Sequence, residues 1–64
     1  MLWIDVNEIA IELYEKFPTV DPQNLLFTDL RKWVLELEGF EDEPVKCNEK
    51  ILEAIQMLWI EERD

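Results

Sequence analysis

From Asp5 to Phe17 the apolar residues Val6, Ile9, Ala10, Leu13, Tyr14 and Phe17 recur at spacings of three and four. That repeat gathers side chains onto one stripe of an α-helix, so a first helix is predicted over residues 5–17. Asp5, with Glu8 three residues on, reads as a capping pair, since a carboxylate there can accept from first-turn amides that have no helical partner. Pro18 ends the helix. The opposite face carries Asp5, Glu8, Glu12 and Glu15, again three and four apart. Like charges at this spacing destabilise an isolated helix by a few tenths of a kcal/mol per pair, so core contact must hold it.

Pro18-Thr19-Val20-Asp21-Pro22 is turn chemistry, with Asp21 as cap and Pro22 opening a single helical turn to about Leu25. Leu25-Leu26-Phe27 then reads as a short, extended, buried link. Thr28 is the expected N-cap of a second helix over 28–38, with Asp29 in its first turn. Its stripe is Leu30, Trp33, Val34 and Leu37, Arg31 and Lys32 face outward, and Gly39 is the natural stop. Residues 39–47 have no usable periodicity and contain Pro44, which predicts an exposed loop anchored by Phe40. A third helix over 48–62 carries Ile51, Leu52, Ala54, Ile55, Leu58 and Trp59. Met57 and Ile60 widen that stripe into an apolar shoulder, suited to a partner or to closing the core against Trp3. Trp33 and Trp59 are expected in the core, and Trp3 as a staple on the first turn of the first helix.

Composition narrows the function classes. Sixty-four residues with 6 basic and 16 acidic side chains give a net charge of −10 with no histidine. A chain this short builds one thin core, a single domain over 1–64 without room for a deep substrate chamber. A hydrophobic content of 48% is too high for a disordered acidic tail. The lone Cys47 forms no internal disulfide and fits a reducing, cytoplasmic setting. The longest apolar run, Met57-Leu58-Trp59-Ile60, is far too short to cross a membrane. The negative charge repels nucleic acid and anionic lipid and attracts basic protein patches or cations. A helix-turn-helix reading fails for the same reason, because only Arg31, Lys32 and Lys50 supply positive charge on the second and third helices.

Three acidic sets are candidate surfaces. Glu36, Glu38, Glu41, Asp42 and Glu43 put five carboxylates within eight residues, with no Lys or Arg between Leu35 and Pro44. Such a set can steer a basic partner. It can also hold a hard or borderline cation such as iron if the loop brings three or more oxygens together. The bland alternative is a solvated acidic loop. Glu8, Glu12 and Glu15 form a second row, whose bland alternative is the ordinary solvent face of the first helix. Glu61, Glu62 and Asp64 form a third, at the helix end where the dipole disfavours anions, with Arg63 as partial offset. Oxygen-only ligation without histidine predicts weak, unselective metal binding. Cys47, with Lys46 and Lys50 nearby to lower its pKa slightly, reads as a capping-position thiol rather than a nucleophile. No Ser/His/Asp set, Gly-rich phosphate loop or Cys-x-x-Cys is present, and the paired carboxylates lack the burial that acid-base catalysis needs, so no enzyme is expected.

The runs Phe27-Thr28-Asp29-Leu30-Arg31-Lys32-Trp33-Val34 and Asn48-Glu49-Lys50-Ile51-Leu52-Glu53-Ala54-Ile55-Gln56 with Trp59 resemble the IscX family of small acidic accessory proteins in bacterial iron-sulfur cluster assembly. So do Trp3-Ile4-Asp5, Asp21-Pro22 and Phe40-Glu41-Asp42-Glu43-Pro44, and the likeness covers the chain without a gap. Leu26 stands where many members carry Arg, and Cys47 where a Ser caps the last helix; Asn48 is placed to take over that cap. The resemblance implies a compact, mainly α, winged-helix-like domain whose wing is vestigial or absent. It also implies a monomeric, modulating protein that binds a cysteine desulfurase, and other cluster-assembly proteins besides, and binds iron weakly through surface carboxylates. The expected function is an acidic adaptor, its docking surface drawn from the three acidic sets with Met57 and Ile60. The alternative is a free-standing iron donor or metal buffer whose partner contact is incidental.

Overall fold

The computed structural model describes residues 1–64. The first apolar stripe winds into α1, Val6–Lys16, which turns Ile9, Ala10 and Leu13 into the interior. Asp5 holds the N-cap position without capping. Its backbone (φ −83°, ψ 54°) is not extended, and its carboxylate accepts instead from the Leu2 amide at 2.7 Å. The Asp5–Glu8 capping pair is therefore not formed. Asp21 does cap a single 3₁₀ turn, Pro22–Asn24, accepting from the Gln23 amide at 3.0 Å and the Asn24 side chain at 2.8 Å.

The second helix, α2, spans Phe27–Leu35, beginning one residue early and ending three residues short of the expected range. Leu26, not Thr28, is the extended N-cap, because the first helical hydrogen bond runs from the Leu30 amide to the Leu26 carbonyl at 2.9 Å. Leu25 and Phe27 are half-buried, but Leu26 between them is 67% exposed, as alternation along an extended segment requires. The expectation of a uniformly buried link fails there. At the other end, the Glu36 amide is shared between the Lys32 and Trp33 carbonyls and Leu37 donates to Val34, so the last turn tightens. Gly39 (φ 84°) makes a further turn four residues beyond the helix rather than stopping it directly.

Asn48 takes the cap of α3, Glu49–Arg63, accepting from the Ile51 amide at 2.9 Å from an extended backbone. The fold is mainly α, with no strand. Its principal packing is α1 against α3, with the shorter α2 closing over both. Ten buried residues make one core: Trp3, Ile9, Ala10, Leu13, Leu30, Val34, Leu37, Leu52, Ile55 and Trp59. Trp33 is half-buried, between Phe17 at 5.2 Å and Trp59 at 6.2 Å centroid separation. The Trp59 indole N–H is buried without a hydrogen-bond partner, a cost of about 1–3 kcal/mol that its packing must offset. Met57 is 63% exposed and does not close the core against Trp3, while Ile60 flanks the 3₁₀ turn.

Trp3 is buried, but its hydrogen bonds run to the acidic loop and not to the first turn of α1. Its indole N–H donates to the Glu43 carbonyl at 2.8 Å, and its ring meets Phe40 edge-on at 4.8 Å. The terminal amine donates to the Gly39 carbonyl at 2.6 Å and the Glu41 amide to the Met1 carbonyl at 3.0 Å. Residues 1–3 thus lie as a strap along residues 39–43.

Candidate functional site

The acidic loop follows α2 because Gly39 turns the chain and Pro44 forces a second 3₁₀ turn, Pro44–Lys46. Arg31 of α2 holds that turn, donating to the Pro44 carbonyl at 3.3 Å. Glu36, Glu38, Glu41 and Glu43 are exposed. Asp42 differs. Its side chain is 11% exposed and faces inward, with Oδ2 accepting from the Trp3 amide at 3.1 Å and Oδ1 from the Glu43 amide at 2.7 Å. These two amides hold its carboxyl below the ordinary aspartate range, with a smaller contribution from Lys46 3.8 Å away.

The five carboxylates do not close on one point. No three acidic or cysteine side chains anywhere in the molecule converge to hold a metal ion. Asp42 is turned onto backbone amides, and the four glutamates stand in solvent. A preformed oxygen cage for iron is not among the features of this loop, so the donor set does not fit a resident metal.

The fold instead joins two sets that lie apart in sequence. Glu12 and Glu15 of α1, with Lys16, line a shallow depression of about 280 Å³ together with Leu37 and Glu38. The row on the first helix and the acidic loop are one continuous surface there; Glu8 is exposed one turn before Glu12. At the far end of α3, Glu61, Glu62 and Asp64 are exposed. Arg63 does not pair with them. It donates to the Val20 carbonyl at 3.0 Å and lies 3.7 Å from Asp21, while Gln56 donates to the Pro22 carbonyl at 2.8 Å. Both residues staple the 3₁₀ turn to α3. The Gln23 amide and the Asn24 side chain, with Arg63 behind them, hold the Asp21 carboxyl below its ordinary value.

Those two contacts, Lys46–Asp42 and Arg63–Asp21, are the only ion pairs, so fourteen of the sixteen carboxylates have no cation bound to them. The exterior is accordingly a negative field. Cys47 belongs to the scaffold: partial burial pushes its thiol up, and the neighbouring guanidinium of Arg31, not Lys46 or Lys50, opposes that shift without reversing it. It stays a protonated thiol at neutral pH. The contacts that sequence reasoning missed are Trp3, Arg31, Gln56 and Arg63, all donating across the chain to loop carbonyls. Leu2, Trp3 and Ile4 are consecutive apolar residues, and nothing local in the sequence says which of them turns inward.

No helix is long and apolar enough to cross a membrane. Comparison with known proteins finds an uncharacterized protein of Pseudomonas aeruginosa, 60% identical over 62 residues that cover 97% of this chain and 94% of the relative. The iron-sulphur cluster assembly family matches residues 1–64. From end to end, then, the chain belongs to the iron-sulphur cluster assembly family that includes IscX.

Proposed function

We propose that this chain is a non-catalytic acidic adaptor of the cytoplasm that docks on a basic surface of a cysteine desulfurase and modulates sulfur delivery to cluster building. What supports the reading is the set of fourteen carboxylates without a bound cation, above all the depression that Glu12, Glu15 and Glu38 share, with Glu36, Glu41 and Glu43 exposed in the same stretch of chain as Glu38. A field of that sign raises the rate of encounter with a cationic protein and fixes its orientation. Iron enters this reading only as weak cargo on exposed glutamates, with no site of its own and no step that depends on it.

Charge reversal at Glu38 and Glu41 together tests the surface, since both side chains are exposed and neither holds the fold. Titrated against a cysteine desulfurase near 0.1 M salt, the double variant E38K/E41K should bind at least about tenfold more weakly and with a flatter salt response. Unchanged affinity rejects this face. The titration is run with and without chelator, because an adaptor binds in both cases.

A further inference from the structure

We propose that Asp42 serves this surface as a positioning residue: it clasps residues 1–3 to the acidic loop and so fixes where Glu38, Glu41 and Glu43 stand. The inference rests on the docking reading above. Of the five carboxylates in this stretch, only Asp42 is turned inward, and both of its oxygens are taken, one by the Trp3 amide and one by the Glu43 amide. A carboxylate so engaged, with the Lys46 ammonium already 3.8 Å from Oδ1, offers little to a further cation arriving from solvent.

The loop depends on that engagement because it has few bonds of its own. Between the turn at Gly39 and the 3₁₀ turn at Pro44, the Glu41 amide donates to Met1, the Glu43 amide to Asp42, and the Glu43 carbonyl accepts from the Trp3 indole. Apart from two local turn bonds, from the Phe40 amide to the Leu37 carbonyl and from the Lys46 amide to the Glu43 carbonyl, every tie runs to the N-terminal strap or to the Asp42 carboxylate. Without the clasp the same negative charges would remain, spread over a mobile segment. Long-range steering follows net charge and would survive, but a docked complex would then have to order the loop at the moment of binding. Asp42 therefore acts on how long the complex lasts, and Glu41 on how fast it forms.

Asp42→Glu separates position from charge, because it keeps the net charge at −10 and moves the carboxylate by one methylene. Glu41→Gln is its counterpart, removing charge from an exposed side chain outside the clasp. Amide hydrogen exchange is read on each free chain, and association and dissociation rates with a cysteine desulfurase are read beside it. For Asp42→Glu, exchange at Trp3 and Glu43 should rise about tenfold or more while Leu13 and Ile55 are unchanged, the size expected for losing one charge-assisted hydrogen bond. Its dissociation should quicken by about tenfold with association within about twofold of the parent. Glu41→Gln should leave exchange alone and slow association. Asp42→Asn keeps one acceptor oxygen and sets its NH2 against the other backbone amide, so exchange should also rise at Trp3 or Glu43, and it carries the exchange readout if Asp42→Glu does not fold. Parent-like exchange in Asp42→Glu overturns the clasp, and faster exchange with parent-like dissociation overturns its service to the surface. If the parent chain itself does not bind the desulfurase, the docking reading falls and takes that service with it, while exchange still decides the clasp.

Discussion

At the scale of single residues, the three aspartates whose carboxylates accept from backbone amides, Asp5, Asp21 and Asp42, differ from the acidic side chains that stand free in solvent. Asp21 and Asp42 each accept from backbone amides, and both carboxyls are held below their ordinary range. The sign follows from linkage. A carboxylate whose native pKa is depressed adds stability that is complete above the ordinary aspartate value and is lost as pH falls through the lower native one. For Asp42 the window therefore lies below about pH 4. A global stability curve sums every ionisable group, so a local probe is required. The Trp3 amide proton shift should hold steady from pH 7 to about pH 4 and move only below it. Movement centred above about pH 4 would show that the Asp42 contacts do not form in solution. None of this was visible in the sequence, where Asp42 sits between Glu41 and Glu43 and looks like either of them. What distinguishes it is an amide 39 positions away.

At the scale of elements, Leu13 of α1 and Ile55 of α3 lie fully buried in the principal interface. Truncating either to alanine should cost about 2–5 kcal/mol. At about 0.05–0.15 kcal/mol per residue, a chain of 64 residues has roughly 3–10 kcal/mol in all, so each variant should be partly or wholly unfolded by circular dichroism at 37 °C. Ile11→Ala, on the exposed side of α1, should stay within about 1 kcal/mol of the parent. A Leu13→Ala chain as stable as Ile11→Ala would show that α1 and α3 do not carry the fold. The helices and their buried faces were legible because a period of three to four residues is written locally, in side chains a turn apart. Their ends were not. Thr28 carries the better capping side chain, yet α2 begins at Phe27, which is half-buried against the core. Asp5 was the best capping candidate of α1, and the turn that brings Trp3 inward points its carboxylate back at Leu2. At α2 a tertiary contact overrode local capping preference, and at α1 a competing local turn did.

At the scale of the whole molecule, net charge was readable from a count, but its arrangement was not. Composition fixes −10, and only the packing of α1 beside the end of α2 brings Glu12 and Glu15 to Glu38. The acidic loop was legible as charge and misleading as a cage, because a run of carboxylates in sequence says nothing of convergence in space. The field that suits a cationic partner also strains the isolated chain, and in the proposed dock this field, rather than an apolar patch, drives association. The most direct measurement is the affinity of the unmodified chain for a cysteine desulfurase between about 50 and 500 mM salt, a range over which the screening length shrinks from above to well below 10 Å. Affinity should fall by at least about tenfold across that range, mainly through slower association. An affinity that holds constant or rises with salt would contradict an electrostatic dock.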